Sequence, residues 1–320
     1  MTNPLSEMSG DQISHLVDAL SSLTDGELAV TMLVACGLPA VPYLDQFLLM
    51  GPPRTIALPR CRAVHALGEL GAYSTLISYF REYERPGDAV VLFSEDAVRS
   101  AVARELLRWR SDEVFHVLLD AARQRSASGL ILALGEFRRE ESVPLLFETL
   151  GDDLCREEAK DGLRKIQQAA RRYAILSIRG LTDTQLHGPS ALRHRRATLQ
   201  LLVDFGVSSE EWQYLADFLL EQDADVVIAA ASMGALIAPD HDQPKIVQAL
   251  FRVSDHLNWA QEDHVIRLLD THHELACKIA WTIADERRAR GERPMWLAPS
   301  WRILWHLLGR DLERDHYGAA

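Results

Sequence analysis

The sequence predicts an all-α protein, an α-solenoid of helix pairs with capping helices at both ends. Three observations carry that prediction. A motif recurs at intervals of 28 to 39 residues, the stretches between its copies show apolar residues at helical spacing, and almost nothing reads as a strand.

The motif is clearest in Arg60–Gly68 (RCRAVHALG), Arg99–Leu107 (RSAVARELL) and Arg156–Arg164 (REEAKDGLR), which align without gaps. Each opens on Arg and carries Leu at its eighth place. Leu130–Phe137 (LILALGEF) repeats the ALGE of Ala66–Glu69, and Arg195–Val203 (RRATLQLLV) and Val226–Gly234 (VVIAAASMG) fit the same frame. The eighth-place residues are Leu67, Leu106, Leu134, Leu163, Leu202 and Met233, separated by 39, 28, 29, 39 and 31 positions. Turn-forming residues explain two long intervals: Arg85-Pro86-Gly87-Asp88 in the first and His187-Gly188-Pro189-Ser190 in the fourth. Periods of this length mark stacked helix pairs, of which the chain holds about seven.

In order along the chain, residues 1–53 carry six acids and no base, and predict N-terminal capping helices and a first repeat. Residues 54–170 hold the clearest repeats. Within them Asp112–Ala122 predicts a helix with Val114, Val117, Leu118 and Ala121 inward. Ser142–Leu150 predicts another, with Val143, Leu146, Phe147 and Leu150 on one face and Pro144 near its start. Ala89–Phe93 is the best strand candidate, too short to tell from a buried helix segment. Residues 171–190 read as a linker or insert. Residues 191–320 read as further repeats, in which Glu210–Gln222 sets Leu215, Phe218, Leu219 and Gln222 along a helical stripe. A Trp-rich cap follows, where Trp301, Leu304, Trp305 and Leu308 share a face and Trp296 precedes them; they either seal the last repeat or offer a partner-binding patch.

These residues resemble the HEAT-repeat family, and more narrowly the short bacterial HEAT-like repeats of the phycobilisome-lyase type. Arg60, Ala63, Ala66, Leu67 and Gly68 carry the first-helix pattern. Ala40-Val41-Pro42-Tyr43-Leu44 and Ser142-Val143-Pro144-Leu145-Leu146 carry the second-helix opening. The resemblance is good over 54–170, fair over 190–255 and weak beyond. It implies a right-handed solenoid, with small residues on the first helix letting the second approach closely.

Charge and cysteine usage narrow the classes. The 320 residues are 48% hydrophobic and 25% charged, and the net charge of −12 disfavours a general nucleic-acid binder. Cys36, Cys61, Cys155 and Cys277 lie 25, 94 and 122 residues apart, without metal-ribbon or disulfide-framework spacing. The first 50 residues lack Lys and Arg, and the apolar run Leu28–Leu44 is broken by Pro39 and Pro42. Together these predict a reduced, cytoplasmic protein with no membrane segment. Charge is nonetheless uneven. Residues 156–196 hold ten bases and four acids, and 204–225 hold seven acids and no base. The two stretches either neutralise each other across a repeat interface, or leave an anion-binding patch at Arg171, Arg172, Arg193, Arg195 and Arg196.

Catalytic signals are thin. No P-loop, G-x-G-x-x-G, G-x-S-x-G or H-E-x-x-H is present. His264, His272, His273, Glu274, Cys277 and Asp285 form the densest cluster of metal-type residues, in which only His273 and Cys277 have ligand spacing on one helix. No cofactor and no metal site is expected.

The expected function is therefore a non-catalytic scaffold that holds a protein or peptide on a concave face lined by second helices. Tyr79, His116, Asp120, Arg123, Trp212 and Asp217 are its surface candidates, with Trp212 either the anchor or a core residue. The resemblance also keeps an enzyme in view, since such folds include bilin lyases and DNA glycosylases. Neither offers a residue pattern transferable to this chain, although the 156–196 stretch would serve a nucleic-acid binder.

Overall fold

The computed structural model describes residues 8–50, 55–82, 87–181, 188–292, 295 and 297–309, with 179–181 as backbone only. Trp296, Arg85, Pro86, His187 and the Arg179 side chain lie outside the described residues. Those described are all-helical, with no strand among them. They form two compact units, Met1–Ile166 and Gln167–Ala320.

The first unit contains α1 (Gly10–Ala19), α2 (Gly26–Cys36), α3 (Val41–Met50), α4 (Leu58–Glu69) and α5 (Tyr73–Arg81). It continues with α6 (Ala89–Leu106), α7 (Asp112–Gln124), α8 (Ser128–Phe137), α9 (Val143–Thr149) and α10 (Arg156–Ile166). The motif-bearing helices pack in succession, α4 on α6, α6 on α8 and α8 on α10. Between them α5 contacts both α4 and α6, α7 packs on α8, and α9 packs on α10. Ala89–Phe93 is the first turns of α6, not a strand. Asp88 caps that helix by accepting the Val90 N–H at 2.7 Å, so a local N-cap decides what the apolar run left open.

The repeat frame has a physical meaning. Leu67, Leu106, Leu134 and Leu163 are all fully buried. In three of the four frames the residue seven places earlier is an arginine, which reaches a carbonyl at the end of a partner helix. Arg60 Nε donates to Leu48 O at 2.9 Å, Arg99 Nη2 to Ala121 O at 2.6 Å, and Arg156 Nε to Leu150 O at 3.1 Å. Carbonyls at helix C-termini carry partial negative charge and have spare acceptor capacity, which suits a guanidinium. The glycine of Ala-Leu-Gly serves close packing. A Cβ on Gly135 of α8 would lie 2.5 Å from the Gly162 Cα of α10, so two glycines set the approach of these helices. Both V-P openings lie at helix starts, α3 after the 3-10 turn Leu38–Ala40 and α9 after Glu140–Ser142.

The second unit contains α11 (Gln168–Leu181), α12 (Pro189–Phe205), α13 (Ala224–Ile237), α14 (Gln243–Val253), α15 (Trp259–Thr271), α16 (His273–Ala289) and α17 (Pro299–Leu308). Here α12 packs on α13, α13 on α15 and α15 on α17, with α14 against α13 and α16. Leu202 and Met233 are buried in their frame positions. Glu210–Gln222 is not one helix. It is two 3-10 turns, Glu211–Tyr214 and Ala216–Leu220, which bury Leu215, Phe218 and Leu219 but leave Gln222 exposed. In α17, Trp301, Leu304 and Leu308 are buried and Trp305 is half-buried, with Arg287 stacked 5.1 Å from the Trp301 ring centre.

Candidate binding groove

In the first unit a groove of about 640 Å³ opens along the motif-bearing helices. Its walls come from four elements: Cys61 of α4, the Phe93–Arg104 face of α6, the turn 125–128 before α8, and the turn 152–155 before α10. Phe93, Ala97, Ser100 and Arg104 stand at i, i+4, i+7 and i+11, so a single face of α6 runs through it. The opposite face of α6 buries Val98, Val102 and Leu106, which fixes the orientation of the helix.

The rim is apolar and wet. Phe93 is 71% exposed and Leu154 70% exposed. Two of the groove's four charged side chains pair with each other. Arg125 grips Asp96 with two hydrogen bonds, Nε to Oδ1 at 2.7 Å and Nη2 to Oδ2 at 2.6 Å. Asp152 Oδ1 accepts the Leu154 N–H at 2.8 Å, and Ser100 Oγ accepts the Gly129 N–H at 3.1 Å. Arg104 is exposed and has no carboxylate at ion-pair distance among the described residues.

The two groove thiols are held protonated. Burial pushes Cys155 up to about 12, with the Asp152 carboxylate adding to the effect. Burial also raises Cys61, although the charges of Arg60 and Arg104 pull it down. A thiol is a nucleophile only as thiolate, so neither is activated near neutral pH. The arrangement is suited to contact and orientation.

Behind α6 lies a buried polar network. Glu95 takes a bidentate pair from Arg60, Nη1 to Oε2 at 2.5 Å and Nη2 to Oε1 at 3.0 Å. The Tyr79 hydroxyl donates to Glu95 Oε1. Tyr79 is therefore not a surface residue: it is 2% exposed, and burial drives its hydroxyl well above the usual phenol value.

Trp212 requires the same correction. It is 3% exposed, its Nε1 donates to Asp242 Oδ2 at 2.9 Å, and its ring lies over Gly234, where a Cβ would meet Cη2 at 2.5 Å. The missing side chain of Gly234 creates the slot that the indole fills. His116, Asp120 and Arg123 are exposed together on α7, where Arg123 Nη1 donates to Asp120 Oδ1 at 3.2 Å and His116 Nδ1 lies 2.7 Å from Asp112 O. Asp217 is exposed in the second unit.

Within the second unit three arginines of the basic stretch are met by the acidic one. Arg171 pairs with Glu211 at 2.5 Å, Arg195 with Glu221, and Arg196 with Asp223 and, at 3.4 Å, with Asp225. Arg172 and Arg193 also have interactions of their own. Three of the five arginines expected to bind anions therefore already face carboxylates. The metal-type cluster is likewise dispersed. His264 Nε2 lies 3.2 Å from Ser232 Oγ, Asp285 accepts from Arg288 at 3.0 Å, and Glu274 is exposed; His272 is half-buried. Cys277 and His273 approach to 3.6 Å, but no third ligand joins them among the described residues.

Sequence reasoning missed Phe93, Arg104 and Leu154. For Phe93 and Arg104 a signal existed. Continuing the helix of Arg99–Leu107 back to Asp88 places both on the face opposite the frame leucine. No protein-family model matches this chain, and no curated protein matches it.

Proposed function

We propose that the chain is a helical-repeat interaction module, a HEAT-like solenoid that binds a protein or peptide partner in the groove of its first unit. One observation carries the reading: two large apolar side chains, Phe93 and Leu154, stand mostly in water at the rim of a concave site in which Asp96 and Arg125 pair with each other. Exposed apolar surface gathered at a cleft is the usual mark of a docking site, whereas scattered single residues are not. The protonated thiols and the compensated Asp96–Arg125 pair favour binding over chemistry. This moves the binding surface from the second helices, where the sequence suggested it, to the motif-bearing helices.

A nucleic-acid reading through residues 156–196 has less behind it, because Arg171, Arg195 and Arg196 would have to leave their carboxylates to reach phosphate. The test is an affinity capture from the native host with wild type and a Phe93→Asp/Leu154→Asp variant, followed by reconstitution with purified components. A stoichiometric protein partner that binds wild type and not the variant supports the proposal. Capture of nucleic acid, or of a partner indifferent to the variant, counts against it.

A further inference from the structure

We infer that the groove takes an extended peptide segment that combines an acidic residue with large apolar side chains. The inference rests on the binding reading above and names the chemistry of the partner. The apolar requirement comes from Phe93 and Leu154, with Ala97 and Ala101 of α6 in the wall beside Phe93. Taking large apolar side chains out of water is favourable only against apolar groups, so the partner must bring such groups to cover them.

The charge requirement follows from the layout. Asp96 and Arg125 cancel in a bidentate pair, while Asp152, whose Oδ1 accepts the Leu154 N–H, keeps its negative charge near the turn before α10. Arg104 stands exposed in the wall, with no carboxylate at ion-pair distance among the described residues. A carboxylate from a partner gains a charge-assisted pair there, and a basic residue in its place meets like charge. The groove is also polar along its length. The charge of Arg104 is felt at Cys61, and that of Asp152 at Cys155. The partner's acid therefore belongs beside Arg104 and away from Asp152.

Its extended form follows from the walls. Besides one face of α6, the groove takes in side chains from α4 and from the turns before α8 and α10, so it reaches across the helices. Three interhelical steps of 8–10 Å make roughly 27 Å, the span of about eight residues in a strand-like conformation.

The test is selection of a phage-displayed random-peptide library on the full chain and on its Arg104→Glu and Phe93→Asp variants. The expected result is an enriched pattern combining Asp or Glu with Leu, Ile or Phe, the acid replaced by Lys or Arg at the same place in the Arg104→Glu selection. A synthetic peptide of the selected sequence should bind Arg104→Gln about ten-fold more weakly by fluorescence anisotropy, as expected for one lost charge-assisted contact. Thermal melting should be unchanged by either substitution at this exposed position. Enrichment that is lost in Phe93→Asp but shows no acidic position, or ignores Arg104→Glu, overturns this inference and leaves the groove as the binding site. No enrichment on any form overturns both.

Discussion

Arg60, Tyr79 and Glu95 show how much one buried carboxylate can organise. Glu95 is shared by a guanidinium and a phenol that are both nearly inaccessible, and Arg60 spends its remaining Nε proton on Leu48 O. Removing one partner of a buried pair leaves an uncompensated charge. Glu95→Gln is expected to cost roughly 3–5 kcal/mol, seen as a lower denaturation midpoint, whereas Tyr79→Phe should cost about 1–2 kcal/mol. Equal effects of the two would show that the network is not centred on Glu95.

A second prediction at this scale concerns pH. Burial holds His194 below the ordinary histidine value of 6.5, and burial aided by the Arg267 charge does the same for His264. The unfolded chain then takes up protons near 6.5 that the folded chain refuses until lower pH. Stability is full above that value and falls as pH drops from 6.5 toward the folded values. A His194→Gln/His264→Gln double variant should flatten the dependence of Tm over this window. An unchanged slope would assign the effect elsewhere.

At the scale of elements, what the sequence revealed and what it hid have separate causes. Helical periodicity located α7 and α9 because their buried faces follow from spacing alone, and the repeat frame found Leu67, Leu106, Leu134 and Leu163 for the same reason. Trp212 stands three and seven positions before Leu215 and Leu219, the spacing of the buried stripe, and the 3-10 turns that replace the helix bury it with them. Its burial depends on a glycine 22 positions later, a long-range fact that no local pattern carries. The groove was hidden for a related reason, since its walls come from four elements separated by turns. The approach of α8 to α10 gives this scale its prediction. Gly135→Val inserts atoms where the Gly162 backbone already stands and should cost about 1–3 kcal/mol, read in chemical denaturation. A neutral result would mean that these helices separate without penalty.

At the scale of the whole molecule the chain resolves into two compact units, and the groove lies entirely within Met1–Ile166. That unit carries its own buried leucines, capped helices and the Arg60–Glu95 pair. Expressed alone, residues 1–166 should melt cooperatively with a helical circular-dichroism spectrum. A fragment that remains unfolded would show that its core depends on the rest of the chain.

The central claim is that Phe93 and Leu154 face a partner. Site-specific photocrosslinking in the native host tests it most directly, with a benzophenone amino acid placed in turn at Phe93, Leu154 and, as an exposed apolar control in the second unit, Leu236. The account predicts one discrete protein adduct shared by the first two positions and absent from the third. The same adducts at all three positions, or none at Phe93 and Leu154, would contradict it.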